Sequence, residues 1–386
     1  MKGDGMKKMI PIRPVMFCTL LLIALLPGGI FSLSCRNADR APVGTGDNEY
    51  LFWRAAGAHA ASVAKKMLAE KGIRSSSDGW IALTNAGYAR VNGRTTQGGL
   101  DGVAQAVTVS RGDLSLLEIH SAPNAALWFA LYHESSGNCA YFEVDAAVAG
   151  DVPDIGSIDM KKLFSIKVME KIDAEHLFEN AAEYAGRFDE KIFGGNEFRI
   201  VTIANAAAAG APVDAIRAME FHDHYCPGVT SGVLLASYLK NSFPLETGGG
   251  YFIHSVQPWC KEDALMAVLN VTPGKGGYAV SYSTPEDRAT WIDGMENAAT
   301  IVYRMNPGTG RWDGIVVGFT WGEPDCPSYG HSVIDKLCTD LWYLERLDHP
   351  EQFITVLYTF VLPQDVTPKE YARPGVDPME RLGLTR

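Results

Sequence analysis

Residues 220–228 read Glu-Phe-His-Asp-His-Tyr-Cys-Pro-Gly. Three side chains of this stretch that suit soft or borderline metals, His222, His224 and Cys226, occupy alternate positions. In an extended backbone, residues at alternate positions project from the same face. We therefore expect both imidazoles and the thiol to converge on one side of this segment.

The end of this stretch predicts the start of a helix. Pro227 is typical of a first helical position, and residues 228–239 carry apolar side chains at helical spacing. A cysteine just before a helix is exposed to the positive end of the helix dipole, which favours the thiolate form of Cys226. A lone buried Cys is more often a small core residue. Here, however, three donors lie close together in the chain, and the last of them begins a Cys-Pro-Gly sequence, so a metal site is favoured. Zinc is the expected metal, and another transition metal is the alternative.

Further ligands must come from elsewhere, because one segment rarely completes a tetrahedral site. Cys260 is the first candidate for the fourth ligand, and His254 is a weaker candidate. A disulfide between Cys226 and Cys260 is the alternative, and it would abolish a thiolate site.

Composition places the chain among globular proteins. It has 386 residues, of which 47% are hydrophobic and 20% are charged, and its formal net charge is -11. This acidity argues against nucleic acid or an anionic membrane surface as a partner.

The N-terminal residues 1–34 resemble a secretory signal. Basic residues precede an apolar run over residues 15–26, which is too short for a comfortable membrane-spanning helix. We expect export to the periplasm or cell surface. Cys35 follows small residues, so a lipid attached to it would be the expected membrane tether.

The element pattern predicts an α+β fold in which mixed or antiparallel sheets pack with helices. The expected organisation is an N-terminal half over residues 36–195, a metal-binding half over residues 196–362 and an extended C-terminal tail over residues 363–386. Within the first half, residues 146–175 are expected to be rich in loops.

Short matches suggest that the halves are degenerate copies of one unit. Residues 119–121 and 253–255 both read Ile-His-Ser, and the strand-like residues 80–83 and 199–203 both precede an Asn-Ala pair. The helix expected after Cys226 in the second half is taken as equivalent to a helix expected after Thr95, over residues 95–108, in the first half.

Two further segments are candidate catalytic sites. Residues 272–277 form a glycine-rich loop in which Lys275 could orient an anionic substrate near the metal. Cys326 precedes Pro and a predicted helix, where its thiol could pair with His331. Cys338, on the same helix, is expected to be a core residue.

Residues 221–228 resemble the Phe-His-Gly-His-x-Cys-Pro-Gly motif of the FmdE-like proteins, a family named for a component of formylmethanofuran dehydrogenase. Gly232 matches the glycine of the next helical turn, and Asp223 replaces the glycine of the motif.

A second motif of that family is similar at Cys260, Asp263 and residues 272–276, with Val271 where cysteine is usual. The resemblance covers about residues 197–320. It implies an α+β core that binds a metal, usually taken as zinc, through the histidine and cysteine motif.

Three functions are compatible with these observations. The first is an exported metal-binding protein without catalysis, and the second is a metal-dependent enzyme that uses Lys275 on a small anionic substrate. The third is a haem-binding or redox protein with His222 or His224 as an axial ligand. Homo-oligomerisation also stays open.

Overall fold

The computed structural model describes residues 47–74, 79–150 and 159–386. Its helices are α1 (Asp47–Glu70), α2 (Gly98–Val107), α3 (Ala146–Ala149), α4 (Ala174–Glu179), α5 (Ala181–Asp189), α6 (Glu197–Ala208), α7 (Val213–His222), α8 (Pro227–Ser242), α9 (Lys261–Leu269), α10 (Pro285–Ala289), α11 (Ser332–Leu344) and α12 (Pro378–Arg381). Its strands are β1 (Trp80–Thr84), β2 (Arg90–Val91), β3 (Arg94–Thr95), β4 (Leu116–Glu118), β5 (Trp128–His133), β6 (Asn138–Val144), β7 (Phe164–Lys171), β8 (Gly250–Ser255), β9 (Tyr278–Val280), β10 (Ala298–Met305), β11 (Trp312–Phe319) and β12 (Ile354–Val361). The predicted signal segment and Cys35 lie outside the described residues.

Two five-stranded sheets share one plan. Their strand orders are β4-β1-β5-β6-β7 and β9-β8-β10-β11-β12. In each sheet the first pair is parallel and the other three pairs are antiparallel. Each parallel pair is connected through a helix, as parallel strands require, α2 in the first sheet and α9 in the second. The predicted α+β fold is confirmed, and the matching topology is consistent with two copies of one unit.

The equivalent elements differ from those that the short sequence matches suggested. By strand order, β8 corresponds to β1 and β9 to β4, so residues 253–255 in β8 are not equivalent to residues 119–121, which follow β4. The predicted strand at residues 199–203 is wrong, because these residues lie inside helix α6. Helix α8 precedes the first strand of its sheet, as α1 does, whereas the helix after Thr95 is α2, which lies between β1 and β4. The expected equivalence of these two helices is therefore also wrong.

The first five-stranded sheet contains one strand more than predicted. Residues 164–171, within the expected loop region, form edge strand β7 beside β6. Alternate side chains of its first part are exposed, so the strand lacks a continuous apolar run. The boundary between the halves at residue 195 stays a prediction.

Helices cover both sheets. Buried residues of α1 and α2 form one core with the first sheet, and those of α8 and α9 form another with the second sheet. A third core joins the other face of the first sheet to helices α4 to α8 and α11. Each fully buried leucine or valine in these layers contributes about 1.5–3 kcal/mol of transfer free energy.

The C-terminal tail packs on the remaining face of the second sheet. Tyr371, Met379 and Leu384 are buried there with Phe252 and Tyr303. The tail includes helix α12 and a short 3₁₀ turn, so it is less extended than expected. Within the described residues, no helix is long and apolar enough to cross a membrane.

Candidate metal centre

The motif of residues 222–226 is a tight connection between two helices. His222 is the last residue of α7, and Asp223 follows with φ of 74° in the left-handed region. Cys226 is the N-cap of α8, with Pro227 in its first turn. The predicted extended conformation is therefore wrong for His222, because the helix continues to that residue. The left-handed turn at the helix end produces the convergence instead.

The fourth donor arrives on the neighbouring helix. Cys260 is the N-cap of α9, which packs against α8. A Cβ atom at Gly232 would lie 2.7 Å from the Cβ of Ala264, and one at Gly228 would lie 2.8 Å from the Cβ of Cys260. Because both positions are glycine, the two helices can approach closely enough to bring Cys260 to Cys226.

The four predicted ligands meet at these helix ends. The candidate ligand atoms of His222, His224, Cys226 and Cys260 all lie within 4.8 Å of one another. The two imidazole rings have centroids 4.4 Å apart. Cys226 is buried, whereas Cys260 is partly exposed. The structure therefore brings the whole predicted ligand set together.

Two carboxylates orient the histidines. The Nδ1 atom of His222 lies 2.6 Å from Oδ2 of Asp263, and the Nδ1 atom of His224 lies 2.8 Å from Oδ1 of Asp223. Arg199 donates to the other oxygen of Asp223 at 2.6 Å. These contacts leave both Nε2 atoms for a ligand, the usual arrangement around metal-binding histidines. Sequence reasoning missed this role, although Asp223 separates the histidines and Asp263 lies in the first turn after Cys260.

The four donors shift one another's pKa values, because they lie close together without a metal ion. Burial disfavours the charged form of His222, but Asp263 and Cys260 outweigh burial and raise its pKa to about 9. The pKa of His224 is raised as well, because Asp223 and Cys260 outweigh burial. The adjacent Cys226 thiol and the two histidines lower the pKa of Cys260 to about 3, against the effect of burial. The pKa of Cys226 is raised, because its thiol is hydrogen-bonded to the Cys260 sulfur and is buried. Without a metal the thiolate is therefore favoured at Cys260 and not at Cys226, where the helix dipole alone predicted it.

One atom of the cluster lacks a partner. The Nε2 atom of His222 is buried and has no hydrogen-bond partner among the described residues. A buried polar atom without a partner is costly, and a coordinate bond would satisfy it. Nitrogen and sulfur donors suit a borderline or soft cation, so the residues fit a metal ion. The protons on the histidines and on Cys226 are those that such an ion would displace.

Two alternatives that the sequence left open, His254 as a ligand and a Cys226–Cys260 disulfide, are not found in the structure. His254 lies in strand β8, where its Nε2 atom is 2.9 Å from the hydroxyl of Ser281, and it is outside the cluster. Cys226 and Cys260 are both free thiols, so the alternative disulfide is not present.

Lys275 does not lie near the metal centre. It follows the C-terminal end of α9, whereas Cys260 precedes the N-terminal end; the nine residues of that helix span about 13 Å. Its ammonium group bonds the side chain of Asn270. The predicted placement of Lys275 beside the metal is wrong, because the helix separates the two motifs.

Cys326 is also unavailable as a nucleophile. It forms a disulfide with Cys338, with a Cα–Cα distance of 6.0 Å. His331 instead accepts from the backbone N–H of Val333 as the N-cap of α11. The predicted pairing of a Cys326 thiol with His331 is therefore wrong, and Cys338 is not a free core residue.

A comparison with protein families matches residues 221–311 to the family described as FmdE, Molybdenum formylmethanofuran dehydrogenase operon. Residues 221–311 are therefore FmdE-like. No curated protein matches it. The FmdE-like segment contains all four donors of the cluster, together with helices α8 and α9 and the Asp263 carboxylate. The resemblance seen in the sequence is confirmed over this segment.

Proposed function

We propose that this FmdE-like chain is an exported metal-binding protein that holds one zinc ion through His222, His224, Cys226 and Cys260. The observation that carries the proposal is the convergence of these donors within 4.8 Å. Two thiolates and two imidazoles are a common ligand set for zinc, and oxygen-preferring cations such as magnesium are disfavoured.

The number of donors favours binding over catalysis. Four protein ligands fill the positions of a tetrahedral zinc ion, whereas catalytic zinc keeps a position open for water or substrate. Four donors that meet at one point also suit a bare ion better than a haem. When bound, the ion supplies a positive charge that holds both cysteines as thiolates.

The chain's own residues prepare the site for that ion. Asp263 and Asp223 accept from the Nδ1 atoms of the histidines, which directs the Nε2 atoms toward the thiols. Helices α7, α8 and α9 each contribute an end to the cluster. Metal binding is therefore expected to tie these three helix ends together and to stabilise the fold.

Export is supported by two observations. Residues 1–34 have the pattern of a secretory signal. Cys326 and Cys338 form a disulfide, and disulfides persist mainly outside the cytoplasm. A lipid on Cys35 would tether the exported protein to a membrane.

Elemental analysis of the purified protein tests the metal assignment. We expect about one zinc per chain, and loss of the metal in Cys226→Ser and Cys260→Ser. Cys139→Ser is the matched control, because Cys139 is a free cysteine in strand β6, outside the cluster. Full zinc content in both cluster variants would contradict the proposal. Secretion of the precursor, followed by N-terminal sequencing of the mature protein, tests export separately.

A further inference from the structure

A cleft of about 210 Å³ opens beside Cys260. Trp259 and Lys261, the two neighbours of Cys260 in the chain, both line it. Its lining also includes Phe319, Trp321, Gln257, Glu296 and Asn297. The cleft therefore adjoins the metal centre, but it is built from side chains that the metal does not use.

The aromatic walls of the cleft are open to solvent. Trp259 is 59% exposed and Trp321 is 44% exposed, although large aromatic side chains usually bury most of their surface. Their ring centroids lie 5.5 Å apart at an interplanar angle of 76°. Phe319 lies 4.6 Å from Trp321 at 62°. Steeply inclined rings of this kind form a corner, with aromatic surface on more than one side.

The lysine in the cleft is not available to an anion. The ammonium group of Lys261 lies 2.8 Å from a carboxylate oxygen of Glu262 and also donates to the backbone carbonyl of Gln257. Glu262 is buried, and Lys261 itself is 5% exposed. Its charge is therefore neutralised inside the protein.

The exposed charge of the cleft is negative. Glu296 is exposed, and its one hydrogen bond among the described residues comes from the backbone N–H of Gly294 at 3.1 Å. The side-chain amide of Gln257 donates to the carbonyl of Ala298, which leaves its oxygen as an acceptor. An overall charge of -11 adds a long-range preference for cations.

The aromatic faces have no cation of their own. In the described part of the chain, the arginines and lysines that stack on aromatic rings do so on other side chains. The face of tryptophan attracts cations more strongly than the faces of tyrosine and phenylalanine. An aromatic corner with a carboxylate at its edge matches the requirements of an organic cation.

We propose that this cleft binds a small organic ammonium ion, with a quaternary ammonium group placed against the exposed surfaces of Trp259 and Trp321, in the corner that the two rings form, and its charge facing Glu296. A methylated ammonium suits the corner because it contacts several ring faces and needs no hydrogen-bond acceptor. The volume of the cleft admits a trimethylammonium group with a short chain. This site is independent of which metal the neighbouring cluster holds.

The test is a fluorescence titration of the purified full-length protein with choline chloride, at constant ionic strength. The control ligand is the neutral isostere of choline in which carbon replaces nitrogen. We expect saturable binding of choline that is about tenfold tighter than binding of the isostere, the difference that a cation–π contact supplies. Equal binding of the two ligands, or no saturable binding of choline, would overturn the proposal.

Two variants place the ligand in the cleft. Trp321→Ala should weaken choline binding by about tenfold, and Glu296→Gln by about threefold, because each removes one attraction for the cation. Tyr282→Ala is the control, since Tyr282 is 82% exposed and does not line the cleft. Unchanged choline binding in Trp321→Ala, or equal weakening in Tyr282→Ala, would refute this location. Zinc content is measured on the same samples, so that loss of the metal is recognised separately.

Discussion

The Nδ1 atom of His222 lies 2.6 Å from a carboxylate oxygen of Asp263, 41 residues away in the chain. This contact joins the last residue of α7 to the first turn of α9. It holds the imidazole so that its buried Nε2 atom, which has no other partner among the described residues, belongs to the donor cluster. Asp263 thus acts as a positioning residue for the metal centre.

Asp263→Asn is expected to weaken metal binding without removing a ligand. Loss of a carboxylate partner of a metal-binding histidine costs about 10–100-fold in metal affinity. Competition with a chromogenic chelator measures this change. Asp293→Asn, at an exposed position on the surface, should retain the affinity of the unsubstituted protein. Equal affinities of the two variants would exclude a positioning role for Asp263.

Asp223→Gly separates backbone conformation from histidine orientation. Glycine adopts the left-handed conformation of residue 223 without strain, so the metal-free fold should tolerate the substitution. The partly exposed ion pair with Arg199 is lost, at a cost of about 1 kcal/mol or less. Metal affinity should fall, because His224 loses its carboxylate partner. Chemical denaturation without metal and chelator competition measure the two effects, and unaltered metal affinity would assign Asp223 a backbone role alone.

Gly232→Ala is expected to separate helices α8 and α9. The added methyl group would lie 2.7 Å from the Cβ of Ala264 and would also meet the carbonyl of Lys261. Overpacking of this kind costs about 1–3 kcal/mol, which urea denaturation measures.

The same substitution should lower zinc content, because the N-caps of these two helices carry Cys226 and Cys260. Gly186→Ala in helix α5 is the matched control, since an added Cβ there meets no atom within 4 Å. It should retain the metal and gain up to about 1 kcal/mol from helix propensity. If Gly232→Ala changed neither the free energy of unfolding nor the zinc content, the two helices would be able to adjust without cost.

His254 is expected to make the stability of the protein depend on pH. Burial lowers its pKa to about 4 in the folded protein, from an ordinary value near 6.5. The folded state therefore binds this proton less readily than the unfolded chain, and stability is lost as the pH falls from about 6.5 toward 4. The expected loss is about 2 kcal/mol by pH 5.

Denaturation of the unsubstituted protein and of His254→Gln at pH 7.5 and pH 5 tests this effect. The difference in the free energy of unfolding between the two proteins should change by about 2 kcal/mol over this range, since the variant lacks the titrating group. The cluster histidines are common to both proteins and cancel in the comparison. A constant difference would show that His254 does not control acid stability.

Local sequence was sufficient to predict much of the site and several elements. The helix that begins at Pro227 was predicted from a residue preference that acts within one turn. Strands β5 and β6 are apolar runs on either side of a turn, a pattern that is visible in the local sequence. The two FmdE-like motifs include all four donors, whose chemical types are visible in the sequence.

Contacts between distant segments were not predictable in this way. The sequence contains no signal that pairs Cys326 with Cys338, because the pairing depends on how residues 326–331 return to helix α11. The position of Lys275 at the far end of α9 likewise depends on the helix between the two motifs. The repeat is clear in strand order and direction, whereas the short identical segments occupy different elements.

The sequence by itself determined which donors the protein carries, that Cys226 precedes a helix, and that the fold combines helices with sheets. Only the tertiary structure decided that Cys260 meets Cys226 and that Asp263 orients His222. The physical reason is the range of the forces involved. Donor type and helix capping are local properties, whereas the distance between donors depends on the packing of α8 against α9, which requires the small surface at Gly232.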